Sequence, residues 1–147
     1  MDYIRYLREM IGNKPAIFVA AVVLIRDRSG RLLLQRRSDD GTWGLVGGIM
    51  NLGETVEEAA RREVFEETGL VVGELTLFGV FTDEHVYPGG NQAFNVSVVY
   101  TSDDVGGEPV ADGEESLELR YFSLDSLPDP IFPPNLNMLA VIKEKLS

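Results

Sequence analysis

The sequence predicts an α+β fold, one domain of mixed strands and helices, and three observations carry that reading. A ten-residue apolar run rich in β-branched residues, Ala16 to Ile25, is half the length a bilayer-spanning helix needs and reads as a buried strand. A capped, helix-forming stretch follows from Thr55 to Thr68 and stops at Gly69. Three further strand-like segments recur at 74–82, 93–101 and 117–122, separated by turn-rich loops.

The elements follow in order. Residues 2–11 place Ile4, Leu7 and Ile11 at helical spacing, with Asp2 as N-cap and Gly12 as stop, a short amphipathic helix with no chemistry of its own. Asp27-Arg28-Ser29-Gly30 is a turn between the run 16–26 and the strand Arg31 to Arg37, so a hairpin is expected there. A Gly-rich passage, 41–48, reads as a loop leading to the central helix. That helix opens on a capping box, Thr55 with Glu58 three residues on. The loops 85–91 and 103–114 follow the later strands, Leu127-Pro128-Asp129-Pro130 breaks the chain, and 135–146 forms a closing helix. The domain organisation expected is a single domain over 1–147, with 1–15 as an N-terminal helical extension.

Composition narrows function. The chain has 147 residues, 44% apolar and 25% charged, ordinary for a folded domain. No cysteine is present, which removes disulfides, zinc–thiolate sites and cysteine nucleophiles, and the single histidine argues against a His-rich metal site. No membrane span or export signal is read, and a reducing, cytoplasmic setting is expected. Thirteen basic against 24 acidic residues give a net charge of −11. No basic stripe offers itself to phosphates, so duplex nucleic acid is not expected as a partner. Clustered acids can instead hold divalent cations, which then bind an anionic substrate.

The acids do cluster. Glu63, Glu66 and Glu67 are three and four residues apart and share one face of the central helix. No Lys follows within a turn to relieve their repulsion, and Arg62 is expected to project elsewhere. Val56, Ala60 and Val64 lie on the adjoining arc, which puts the carboxylates at the edge of the core. Gly47-Gly48 can bring backbone close to them, because glycine has no Cβ. Magnesium or manganese, hard cations that take oxygen ligands, suit such a cluster.

Gly48, five residues, Glu54, seven residues, then Arg62-Glu63-Val64-Phe65-Glu66-Glu67-Thr68-Gly69-Leu70 resembles the Nudix box, G-x5-E-x7-R-E-U-x-E-E-x-G-U, at all nine specified positions over 23 residues. The resemblance extends over roughly residues 16–128, through Trp43-Gly44-Leu45 and the stretch Phe122 to Pro128. It implies an α/β/α sandwich with a mixed β-sheet. It also implies Mg²⁺- or Mn²⁺-dependent hydrolysis of a nucleoside diphosphate linked to another moiety, water attacking at phosphorus. By the same resemblance the metal ligands are Glu63, Glu66, Glu67 and the Gly47 carbonyl. Glu54 and Arg62 form a supporting ion pair beside Gly48, and the base is a box glutamate (Glu63 or Glu66) or the loop residue Glu115. Arg37 is expected at a substrate phosphate. Trp43 is read either as a stacking surface or as a packing anchor. Tyr87, 17 residues after Leu70, resembles a tyrosine of diadenosine polyphosphate hydrolases. His85 is expected to stand alone on a loop.

Two positions depart from the common flanking pattern: Val46 where proline is frequent, and Asn51 where a glutamate is frequent. Substrate candidates are a diadenosine polyphosphate, ADP-ribose or another nucleotide sugar, a nucleoside triphosphate, or a 5′-triphosphate RNA end. The alternative is a non-catalytic module of the same fold that senses a nucleotide or ADP-ribose, and a homodimer is left open.

Overall fold

The structure is a computed structural model and describes residues 2–146. Helix α1 (Tyr3–Ile11) is capped by Asp2, whose side chain accepts from the Arg5 amide, and ends at Gly12 with φ 61°. Strands β1 (Ala16–Ile25), β2 (Leu32–Arg37), β3 (Trp43–Leu45) and β4 (Gly47–Ile49) precede helix α2 (Val56–Thr68). Then come β5 (Val71–Val72), β6 (Thr76–Val86), β7 (Gln92–Ser102), β8 (Val105–Gly106) and β9 (Ser116–Phe122), and helix α3 (Leu136–Leu146) closes the chain. A mixed sheet runs β4-β1-β7-β6, with β1 and β7 parallel, and an antiparallel sheet runs β3-β2-β9. Among the described residues no helix is long and apolar enough to cross a membrane.

The expected hairpin is only a turn. Asp27 accepts from the Ser29 and Arg31 amides, and Arg26 and Leu32 form one isolated bridge. Beyond it β1 and β2 join different sheets, because the Gly-rich passage comes between them. That passage is no loop: β3 pairs with β2, β4 pairs with β1, and fully buried Val46 marks the crossing, its carbonyl accepting from Val23.

Alternation along the strands separates two apolar layers. Ala21, Val23 and Ile25 of β1 pack with Leu33, Val46 and the Ala59, Ala60 and Val64 face of α2. Val22 and Leu24 pack with Leu32, Leu34 and Met138, Leu139 and Ile142 of α3. The result is an α/β/α sandwich. Each fully buried Val, Leu or Ile in these layers contributes roughly 1.5–3 kcal/mol. Helix α1 has no buried residue; Tyr3 N–H donates to Asn51 Oδ1 (2.9 Å) and Arg8 Nη2 to the Gln92 carbonyl (3.0 Å). Strand β6 continues to Val86, so His85 belongs to a strand rather than a loop.

Candidate active site

The central helix forms where its sequence says. Thr55 Oγ1 accepts from the Glu58 amide and Glu58 Oε1 from the Thr55 amide, while Gly69 at φ 75° donates to the Phe65 carbonyl. Burying Ala59, Ala60 and Val64 turns Glu63 and Glu67, one helical turn apart, toward β4. There the two glycines decide the geometry. A Cβ on Gly47 would stand 2.3 Å from the Ala21 carbonyl oxygen, and one on Gly48 2.4 Å from Glu63 Cδ. Only backbone fits between β1 and the carboxylates.

Glu67, 4% exposed, is held at both oxygens: the Gly47 amide donates to Oε1 (2.9 Å) and Gln35 Nε2 to Oε2 (3.1 Å). Gln35 is itself buried, donates also to the Leu45 carbonyl (3.2 Å), and accepts from Ser116 Oγ. Glu63, 9% exposed, accepts from Arg62 Nη1 at 2.8 Å. Arg62 therefore does not project away from the acidic face. It donates to both oxygens of Glu54 (2.5 and 2.9 Å), to the Ile49 carbonyl (3.2 Å) and to Glu66 (3.3 Å), while the Asn51 amide donates to Glu54. Its five donors fix the loop to the helix because guanidinium is a planar fork.

Glu115 comes from the loop before β9, where Asp112 Oδ1 accepts from the 114, 115 and 116 amides. One carboxylate oxygen each from Glu63, Glu67 and Glu115 lie within 4.8 Å of one another. Glu66 is outside this group, half exposed at the flank of Arg62. Burial pushes Glu63 up to about 7 against the pull of Arg62, with Glu66 and Glu115 adding to the rise. Burial and then the Glu63 charge raise Glu67, and burial and Asp112 raise Glu115. Oxygen-only donors so crowded fit a hard divalent cation, whose charge removes the strain of their mutual repulsion. The cluster opens on a cleft of about 890 Å³ that α1 borders with Asp2 and Ile4, so the helix expected to be inert forms part of its wall.

The family model for the NUDIX domain matches residues 17–142. The chain belongs to the Nudix family. It is 36% identical over 121 residues to a Methanocaldococcus jannaschii protein named as ADP-ribose pyrophosphatase, covering 80% of this chain and 68% of that one. It is 30% identical to the Vibrio cholerae NAD-capped RNA hydrolase, spanning 90% of itself but only 47% of that longer protein. A crystal structure of a Burkholderia pseudomallei MutT Nudix hydrolase superposes with a TM-score of 0.74 at 29% identity, over 90% of this chain and 99% of that one.

The Nudix box thus occupies β4, the loop after it and α2. Around the cleft, Arg37 makes a two-pronged pair with Asp39 (3.1 and 2.8 Å) and lies 3.8 Å from the centroid of the Phe132 ring. Tyr87 borders the cleft beside His85 (ring centroids 4.6 Å), and Phe132 completes the group at 5.1 Å from His85. His85 therefore does not stand alone. Trp43 is 9% exposed, its ring edge-on to Phe122 at 5.0 Å among the α3-side core residues, and does not line the cleft. Of the two readings offered for it, the geometry is that of a packing anchor. Sequence reasoning missed Gln35, the polar residue directly after the apolar run Leu32-Leu33-Leu34 and buried with it. It missed Phe132, which follows a Pro-rich break and carries no pattern of its own.

Proposed function

We propose that the protein is a divalent-metal-dependent pyrophosphohydrolase of nucleoside diphosphate derivatives, with an ADP-linked sugar of the ADP-ribose type as the leading substrate class. The observation that carries this reading is the Glu63–Glu67–Glu115 cluster, two glutamates of a complete Nudix box joined by one from the loop before β9, at the side of a nucleotide-sized cleft. The relative named as ADP-ribose pyrophosphatase supports the choice of substrate. Glu63 and Glu67 hold Mg²⁺ or Mn²⁺ together with the Gly47 carbonyl, and Glu66 flanks them. When bound, the ion neutralises diphosphate charge and acidifies water. Glu115, on a loop at the edge of the cluster and raised above its ordinary value by burial and Asp112, takes the proton of the attacking water. Arg37 exchanges Asp39 for a substrate phosphate, a change of one two-pronged partner for another. Tyr87 and Phe132 border the far end of the substrate. Water adds across the P–O–P bridge, so ADP-ribose yields AMP and ribose 5-phosphate.

The test is a panel of nucleoside diphosphate derivatives, dinucleoside polyphosphates and triphosphates, assayed with millimolar Mg²⁺ or Mn²⁺ and product chromatography. AMP release from ADP-ribose, abolished by chelator, is expected. Loss of a residue that merely orients a ligand costs roughly 10- to 100-fold, so Glu63→Gln, which removes a ligand, falls further while keeping its fold. A panel with no turnover under either metal overturns the assignment.

A further inference from the structure

Strands β6 and β7 place Asp83 opposite Asn95, and β1 sets Phe18 beside Asn95 on the other side. The sheet face toward the cleft carries Phe18, Ala20, Val22 and Ala93, and into this apolar floor it sets Asn95, Ser97 and Asp83. Asn95 is 8% exposed, and its Nδ2 donates to Asp83 Oδ1 at 3.0 Å. Polar groups in an apolar floor are costly unless their bonding capacity is used. This bond consumes one amide proton and one carboxylate oxygen. The second amide proton and the second carboxylate oxygen remain, a donor beside an acceptor. Among the described residues no lysine or arginine pairs with Asp83. Burial raises its carboxyl, in keeping with a group placed for something other than solvent.

The pair also lies at the right end of the cleft. In the order β4-β1-β7-β6, Gly48 beside Glu63 is three strand steps from Val80, and Asp83 lies three residues farther along β6, a separation of roughly 17 Å at about 4.8 Å a step and about 3.3 Å a residue. A nucleoside diphosphate with its phosphates at the carboxylates extends its base toward β6.

The geometry points to Asp83 and Asn95 as the readers of the nucleobase, Asp83 accepting from the exocyclic amine of adenine and Asn95 donating to the adjacent ring nitrogen. The inference rests on the nucleotide reading given above. Adenine presents a donor next to an acceptor, whereas hypoxanthine puts a carbonyl oxygen in place of the amine, facing the carboxylate.

Two measurements test it: kcat/KM for ADP-ribose against IDP-ribose, and calorimetric binding of AMP against IMP with millimolar Mg²⁺, which needs no hydrolysis. Wild-type protein is expected to favour the adenine member of each pair by roughly 10- to 100-fold. Asp83→Asn keeps the volume and a hydrogen bond to Asn95, and should bring the ratio to within about twofold of one or invert it. Glu84→Gln, on the opposite face of β6, should leave it at the wild-type value. Equal binding of AMP and IMP by wild type, or an unchanged ratio in a folded Asp83→Asn protein, overturns the inference. Selective AMP binding without turnover would uphold it while overturning the hydrolase assignment, and turnover without base discrimination would do the reverse.

Discussion

Gly48 shows how little room the acidic cluster has. An added methyl group there would lie 2.4 to 2.7 Å from the Glu63 carboxylate atoms, and that carboxylate is buried and tied to Arg62. It can yield only by breaking the ion pair or leaving Glu67 and Glu115. Gly48→Ala is therefore expected to lower kcat/KM by roughly 10- to 100-fold, the usual penalty for disturbing a ligand's support. The thermal midpoint should stay near wild type, since Gly48 has an ordinary backbone φ and no left-handed strain is introduced. Steady-state kinetics and a melting curve on the same preparation check both halves, and undiminished kcat/KM would count against the role proposed for Glu63. The box glutamates were legible because their identity and spacing carry the information. Gln35 and Glu115 reach the same place through strand pairing across 32 and 48 residues from Glu67, which no local spacing records.

Among the elements, α2 could be read from sequence in full, because a capping box, strong helix formers and a terminal glycine are local causes. The five long strands were located but their partners were not, and the short strands β3, β4, β5 and β8 were not read. Turn chemistry at 27–30 is present as expected, yet pairing beyond it is decided by competition for strand edges. The 43–49 segment takes the edge of β1 that a hairpin would have used. Glycine content hid that segment, since close approach and not flexibility is what its glycines serve. The loop before α2 has its own clamp, Glu54 with Arg62 and the Asn51 amide. Arg62 chiefly holds the Glu54 carboxyl below its usual range. A depressed folded-state value gives stability that is present above the unfolded value of 4.5 and lost as pH falls through the folded one. Glu54→Gln should thus be less stable than wild type at neutral pH, with the gap closing in acid. Urea midpoints for both proteins from about pH 7 down to about pH 3 measure it, and a constant gap would separate the pair from the clamp.

On the scale of the whole molecule, a net charge of −11 and a buried carboxylate cluster act in the same direction. Both make ionisation of the folded protein unfavourable as pH rises, but only the cluster is relieved at one site. Glu63 has its folded value raised from 4.5 to about 7, so the folded state binds a proton that the unfolded state has already released. Stability from this residue is intact below 4.5 and is lost between 4.5 and about 7, on the order of 3 kcal/mol without metal. The thermal midpoint in chelator should therefore fall across that window. Glu63→Gln, which cannot ionise, should fall less, its remaining slope measuring Glu67 and the general charge. Millimolar Mg²⁺ should restore wild type most at about pH 8 and least at about pH 5, because the cation competes with the proton for the same oxygens. Mg²⁺ at a hundred times its dissociation constant would add about 2.7 kcal/mol, enough to offset most of the loss. Parallel curves for wild type and Glu63→Gln in chelator, together with no Mg²⁺ effect at either pH, would mean that the cluster's repulsion is relieved by the protein alone. The acidic surface would then be a matter of solubility and not of catalysis.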